Sequence, residues 1–391
     1  MRTGEFDDDW YDPAIYPELR ARPPWVMEDM IEVQASIPER VHNTLADTAH
    51  RFTDALQDVV RAGQPVVVAG VGTAGHAARA VALLLNDAIT GSPLGRSGPA
   101  EFRESSDQAL SPRSGGLCLA VSHGGRSRST LAALEAARES GATTAVITAA
   151  VNSPVAGAAD MVLPTPVQDQ SYCHTVGYTS PILGAMYLGS TLQREPFPAE
   201  ALTSYLRELR ALEPRATQVA GGLRDVRRLV ASGSLIDHPT ARELALKVAE
   251  GPRLPTTALG LEDTQHGHLV GHDHDSGLIA IATGGNNSRG SGERANELVR
   301  AAGHIGLVTA AIVSRETADA VDPEATGAGV LVLPDTELPS SWSSLLGGAL
   351  CLQQLTVGLV HDRGVNPDLI RREERPYREA VGLGSAKEPR T

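Results

Sequence analysis

The alternation of short apolar runs with longer helical segments constrains this chain more than any other feature. PVVVAGVG (65–72), LCLAVS (117–122), TTAVITAA (143–150) and ADMVLPT (159–165) have strand length and strand composition. Helical segments such as TLAALEAARESG separate them. A strand that is apolar throughout and followed by a helix belongs in a parallel sheet covered on both faces, because a parallel neighbour is reached only through a crossover. The pattern then recurs in RLVASGSLI (228–236), GLIAIATGG (277–285), HIGLVTAAIV (304–313) and GVLVLPDTE (329–337). The double glycine at 124–125 returns at 284–285, and VITAA is echoed by LVTAA. The predicted fold class is therefore α/β, with two tandem doubly wound units, each a parallel sheet with helices on both faces. Residues 1–45 read as a lead-in with a helix across WVMEDMIEVQASIPERV, 46–210 as the first unit and 211–365 as the second. A helix from about Asn43 to Gly63 leads into the first strand, and 366–391 form a charged, mostly irregular tail.

The formal net charge is −13, which argues against nucleic-acid or membrane-surface partners but not against a small anion held by local backbone donors. Cys118, Cys173 and Cys351 are odd in number and far apart, which suits a reduced, cytoplasmic setting. The acidic N-terminus lacks a signal-peptide pattern. No apolar run is expected to approach the roughly 18 residues of a membrane span.

The turn SHGGRSRST, at a strand-to-helix junction, combines three properties. A helix N-terminus exposes unpaired N–H groups and partial positive charge. Glycines permit positive φ and close approach of a ligand, and hydroxyls add short donors. Together they suit a phosphate, with Arg126 or Arg128 adding charge; the plain alternative is a serine-capped turn. The turn is not a Walker A loop, and GVGTAG (70–75) lacks the acidic partner of a dinucleotide site. Further on, PTARELALKVAEGP reads as a helix with Ala241, Leu244, Ala245 and Val248 on its apolar stripe. Glu243, Lys247 and Glu250 share another face, which by itself reads as solvated and bearing an i,i+4 ion pair.

GVGTAGHAARA, SHGGRSRST, QDQSYCHTVGYTS and ELALKVAEG…DTQHGH stand in an order and spacing that resemble the sugar isomerase (SIS) double-domain family. The likeness covers roughly 25–365 and is to the isomerase half of glucosamine-6-phosphate synthases, without their glutaminase domain. It implies two flavodoxin-like SIS units. The family's Ser-Gln-Ser-Gly-Glu-Thr phosphate loop falls on 122–127. Ser122, Gly125 and Ser127 match its first serine, glycine and threonine, Gly124 stands at its second serine, and His123 and Arg126 replace the glutamine and glutamate. Gly72 and Thr73 match a Gly-Thr turn near the sugar, with Ala74 in place of a serine, and Thr175 matches a further hydroxyl of the phosphate site. His76 also matches a family histidine, while His123 and His174 are expected to line the pocket. Glu250 matches the glutamate that moves a proton between C1 and C2. His266, sixteen positions on, matches the histidine that assists ring opening in the neighbouring subunit, so the resemblance implies a homodimer with shared active sites. The lysine that precedes that histidine in the family is Gln265 here, and the family's C-terminal lysine has no counterpart.

These readings lead to an aldose–ketose isomerase acting on a phosphorylated sugar or amino sugar. The chemistry is proton transfer and needs no cofactor. A deaminase or deglycase using the same residues, or a sugar-phosphate-binding regulator without turnover, remain alternatives. His266, His268, His272, Asp273, His274 and Asp275 also suggest divalent-metal ligands, but their spacing matches no standard site, and a polar loop is the preferred reading.

Overall fold

The computed structural model describes residues 16, 18–95, 100–284 and 288–384. Gly285, half of the echoed glycine pair, lies outside them. Two five-stranded sheets form the frame. The first contains β1 (Val66–Gly70), β2 (Ala100–Glu104), β3 (Leu117–Val121), β4 (Thr143–Thr148) and β5 (Met161–Pro164) in the order β2-β1-β3-β4-β5. The second contains β6 (Arg228–Gly233), β7 (Thr256–Leu259), β8 (Ser276–Ala282), β9 (Val308–Val313) and β10 (Gly329–Val332) in the order β10-β9-β8-β6-β7. All eight pairings are parallel, and read from the other edge the second order repeats the first. This is the flavodoxin-like 2-1-3-4-5 winding, whose chain reverses direction across the sheet between the first and third strands. In this winding a ligand crevice, where one is open, lies at the carboxyl ends of those two strands.

The expected strands are all present, and two more join them. β2 and β7 are edge strands, AEFRE and TTAL, with partly exposed side chains. An edge strand is covered on fewer sides than a central one and lacks the continuous apolar run that marks β1, β3 and β8.

Helix boundaries differ from expectation near the N-terminus. Helix Val26–Glu32 passes through a short 3₁₀ turn into a 25-residue helix, Ile37–Arg61, with Pro38 in its first turn. Proline is well placed there because the first N–H groups of a helix have no intrahelical acceptor. Helix Ser340–Arg363 corrects another expectation. By length and composition it is apolar enough to cross a membrane, yet 89% of its most apolar 18-residue window is buried inside the protein. Leu345, Leu346, Leu350, Leu352, Leu355 and Leu359 are all core residues, each burial contributing roughly 1.5–3 kcal/mol.

This helix also joins a buried polar chain across the molecule. The Thr179 hydroxyl donates to Gln34 Oε1 (2.6 Å), Gln34 Nε2 to Gln353 Oε1 (2.6 Å), and Gln353 Nε2 to the Thr175 carbonyl (3.3 Å). The segment from 366, expected to be a mostly irregular tail, is tied down. The Asp368 carboxylate accepts the N–H groups of Val26 (2.8 Å) and Met27 (2.9 Å), capping the first helix, and 375–384 form a helix of their own.

Candidate active site

A cavity of about 1020 Å³ opens where β1 and β3 end, at the switch point of the first sheet. Gly72, Thr73, Ser122, His123, Gly124, Gly125 and Ser127 all line it, as do Arg126, His174 and Glu250. Local sequence explains the first wall. Gly72 has φ 59° and begins helix Thr73–Gly91, and a Cβ on Gly70 would stand 2.5 Å from the Ala74 carbonyl oxygen. Strand and helix can approach so closely only through glycine.

The turn after β3 is built in the same way. Gly125 has φ 63°, and a Cβ there would lie 1.8 Å from Ser153 Oγ. Ser127 caps helix Arg128–Glu139, its Oγ accepting the Thr130 N–H (3.3 Å) and the Thr130 hydroxyl (3.0 Å). Ser129 and Ser105 extend this hydroxyl cluster, at 3.1 Å from Ser127 and 3.2 Å from Thr130. The serine cap and the glycine turn are thus one structure, with Ser127 and Thr130 at the start of the helix on the cavity wall.

His123 is held by an unforeseen partner. Its Nε2 accepts the N–H of Asp169 (2.8 Å), which assigns the ring proton to Nδ1. Asp169 is fully buried, and its carboxylate gathers the N–H groups of Ser171 (3.2 Å), Thr175 (2.6 Å) and Gly177 (3.1 Å). One side chain therefore shapes the loop 168–177 and orients His123. Burial, with His174 nearby, lowers the His123 pKa to about 4. Burial, with Lys247 and Arg372, lowers that of His174 to about 3. Both rings are neutral at pH 7 and serve as shape and hydrogen-bonding groups rather than charges. Thr175 is not brought to the cavity. It is fully buried at the start of helix Val176–Gln193, with no hydrogen-bond partner for its hydroxyl among the described residues.

The helix His238–Glu250 corrects the reading of a solvated charged face. Glu243 and Lys247 are fully buried, packed against the first unit, and of the three charged residues only Glu250 lines the cavity. Glu243 accepts from the Thr73 hydroxyl (3.2 Å) and lies 2.7 Å from His76 Nδ1. Lys247 is 3.8 Å from Glu243 and hydrogen-bonded to Glu250. Opposing charges explain how a lysine is tolerated there: burial disfavours its ammonium, but Glu250 and Glu243 outweigh burial and keep it charged. Burial raises the Glu250 pKa above the ordinary carboxylate value, with Lys247 opposing the rise. A carboxylate so poised can both take and return a proton. Glu243 and Lys247 were not singled out from sequence because an i,i+4 Glu–Lys pair is so common on exposed helices. The available signal was a third charge, Glu250, on the same face beside a glycine stop.

His266 is not on the wall of this cavity. It follows the short helix Leu261–Gln265, its side chain is 71% exposed, and it pairs with Glu262 at 3.1 Å. The other histidines of that loop separate: His272 approaches Ser276 (3.2 Å) and His274 approaches Asp275 (3.6 Å). Among the described residues no three His, Cys, Asp or Glu side chains are grouped to hold a metal.

The remaining wall comes from the chain ends. Tyr16 stacks on Tyr172 with centroids 4.0 Å apart, Arg372 lies over the Tyr172 ring at 4.0 Å, and Ile370 stands beside them. These positions lie too far apart in sequence for any local pattern to join them.

Comparison with known proteins agrees with the fold. Residues 61–192 match the model of the SIS domain. The isomerizing glutamine–fructose-6-phosphate aminotransferase of Symbiobacterium thermophilum is 30% identical over 224 residues, 54% of this chain and 36% of that protein. The chain spans about a third of the length of the curated aminotransferases it matches. Among solved structures, the C-terminal domain of glucosamine-fructose-6-phosphate aminotransferase from Francisella tularensis superposes with a TM-score of 0.71 at 16% identity, covering 87% of this chain and 97% of that one. Tagatose-6-phosphate ketose/aldose isomerase from Escherichia coli gives 0.69 at 16% identity, covering 89% and 95%.

Proposed function

We infer, for a chain that carries a SIS domain and the tandem fold of phosphosugar isomerases, that it moves a proton between C1 and C2 of an open-chain phosphorylated sugar or amino sugar. The observation that carries this reading is the position of Glu250. A buried carboxylate with a raised pKa, braced by a charged lysine, faces the same cavity as a glycine–hydroxyl turn at a helix N-terminus. The turn at 122–127 holds the phosphate through backbone donors. Glu250 takes the proton from one carbon as electrons move toward the carbonyl, then returns it to the other carbon. The two sugar oxygens trade the remaining proton, so the reaction balances without a co-reactant.

Lys247 supports both halves of the cycle, since its ammonium offsets the negative charge each time Glu250 is ionised. Glu243 connects this pair to Thr73 and His76 at the other wall of the cavity. His266, exposed and outside its own cavity, serves the cavity of a second copy and assists ring opening there.

The test is solvent exchange. In deuterated water, a sugar phosphate from a panel of hexose, pentose and amino-sugar phosphates gains deuterium at C1 or C2, and Glu250→Gln binds it but no longer exchanges. A sugar phosphate that binds the wild-type protein and never exchanges contradicts the reading and leaves a binding protein. Mixing Glu250→Gln with His266→Ala chains restores part of the activity if the site is shared between copies, and restores none if it is not.

A further inference from the structure

Arg372 is a cation on the cavity wall. Among the described residues no carboxylate pairs with its guanidinium, and its Nε is buried without a hydrogen-bond partner. Its guanidinium lies over the Tyr172 ring, itself stacked on Tyr16. A buried N–H left without an acceptor costs free energy that a ligand acceptor would recover.

The backbone holds Arg372 there against local preference. Ile370 (φ 43°) and Arg371 (φ 62°) both lie in the left-handed region, which a β-branched residue enters only under constraint. Anchors on each side supply that constraint. Asp368 binds Val26 and Met27, while Glu373 (2.5 Å) and Glu374 (3.0 Å) bind Arg253. Strain maintained in this way beside a cavity points to recognition rather than packing.

A phosphate brings about −1.5 to −2 charges, which suit the N-terminus of the Ser127-capped helix. The cavity, at about 1020 Å³, lies at the upper end of the roughly 300–1,000 Å³ of pockets that enclose drug-sized ligands. One hexose phosphate leaves part of it unfilled. Arg372 lines the same cavity as Arg126 of the glycine turn and Glu250.

We propose that the substrate is a sugar phosphate bearing a second anion, a carboxylate on a short extension, which Arg372 pairs with beside the Tyr172–Tyr16 stack. This deepens the sugar-phosphate reading above and depends on it.

Isothermal titration with three probes tests it: glucosamine 6-phosphate, its N-succinyl derivative ending in a carboxylate, and the neutral N-succinamoyl analogue. Wild-type protein binds the carboxylate about tenfold or more tighter than the amide, as suits a charge-assisted bidentate pair. Arg372→Gln removes that preference and leaves glucosamine 6-phosphate affinity unchanged, while Arg372→Lys keeps part of it and stands in if the glutamine variant does not fold. Equal affinity for carboxylate and amide in the wild type overturns the proposal and spares the sugar-phosphate reading. Loss of glucosamine 6-phosphate affinity in Arg372→Gln also overturns it, because Arg372 then closes on the phosphate itself. If none of the three probes binds the wild type, the proposal falls, and the exchange test on the wider panel of hexose and pentose phosphates decides the sugar-phosphate reading.

Discussion

The two sheets share one winding order, yet the turns after their third strands are used in opposite ways. After β3, the chain through Ser122, His123, Gly124 and Gly125 borders an open cavity, and Ser127 starts a helix that faces it. After β8, the corresponding Thr283 is occupied from within. The Asp237 carboxylate accepts its N–H at 3.2 and 3.1 Å and its hydroxyl, and Ser344 Oγ donates to its carbonyl (3.0 Å). A Cβ on Gly284 would lie 2.8 Å from Ser344 Oγ, so the helix Ser340–Arg363 closes against this turn. A protein carboxylate thus fills in the second unit the kind of place an anion would take in the first. The fold was duplicated, but the availability of its donors was not. The second unit contributes instead the helix His238–Glu250, which carries its terminal carboxylate into the first unit's cavity.

The largest effect expected from this division is on the rate. Glu250→Gln lowers proton exchange by about 10²–10⁴-fold, the usual contribution of a positioned general base, with ligand affinity little changed; single-turnover exchange against calorimetric affinity separates the two. Next is Gly125→Val, which drives a side chain into Ser153 at a positive-φ position and abolishes sugar-phosphate binding. Retained binding in that variant would move the phosphate seat elsewhere and break the comparison.

Asp237→Ala probes the occupied turn. It strands the Thr283 N–H and hydroxyl, costs about 1–3 kcal/mol in denaturant unfolding, and leaves ligand affinity unchanged. The same residue has a pH signature. Burial raises its pKa from 3.8 to about 7, with the Thr283 donors opposing the rise. The folded state therefore holds the proton more tightly than the unfolded one, and this group's contribution to stability falls as pH climbs through that interval. Asp237→Asn keeps an acceptor and flattens that part of the stability–pH curve. The smallest effect is from Ser127→Ala, which removes the cap of helix Arg128–Glu139 at about 1 kcal/mol of stability and weakens phosphate binding, a paired loss the Thr283 turn cannot show.

What the sequence disclosed follows from how local each signal was. β3 and β8 are apolar along their whole length because both faces are covered, and they could be read directly. AEFRE and TTAL, at sheet edges, carry polar residues and could not. The glycine–hydroxyl turn was legible because its chemistry lies within a few consecutive residues. Glu250 stood out only through its resemblance to a known pattern. Glu243 and Lys247 have the same spacing as a surface ion pair, and only the packing of their helix against Thr73 and His76 reveals them as buried. Asp169 acts through backbone N–H groups that leave no mark on composition. Tyr16, Tyr172 and Arg372 meet through the docking of both chain ends, which no periodicity encodes.

The central claim is that one unit seats the phosphate while the other delivers the base. A crystal structure of the protein with bound glucosamine 6-phosphate tests it most directly. The account predicts a single phosphate per chain, within hydrogen-bonding distance of the 124–127 backbone, with C1 and C2 beside Glu250. A phosphate found instead at the Thr283 turn, or seated with its sugar pointing away from Glu250, would contradict it.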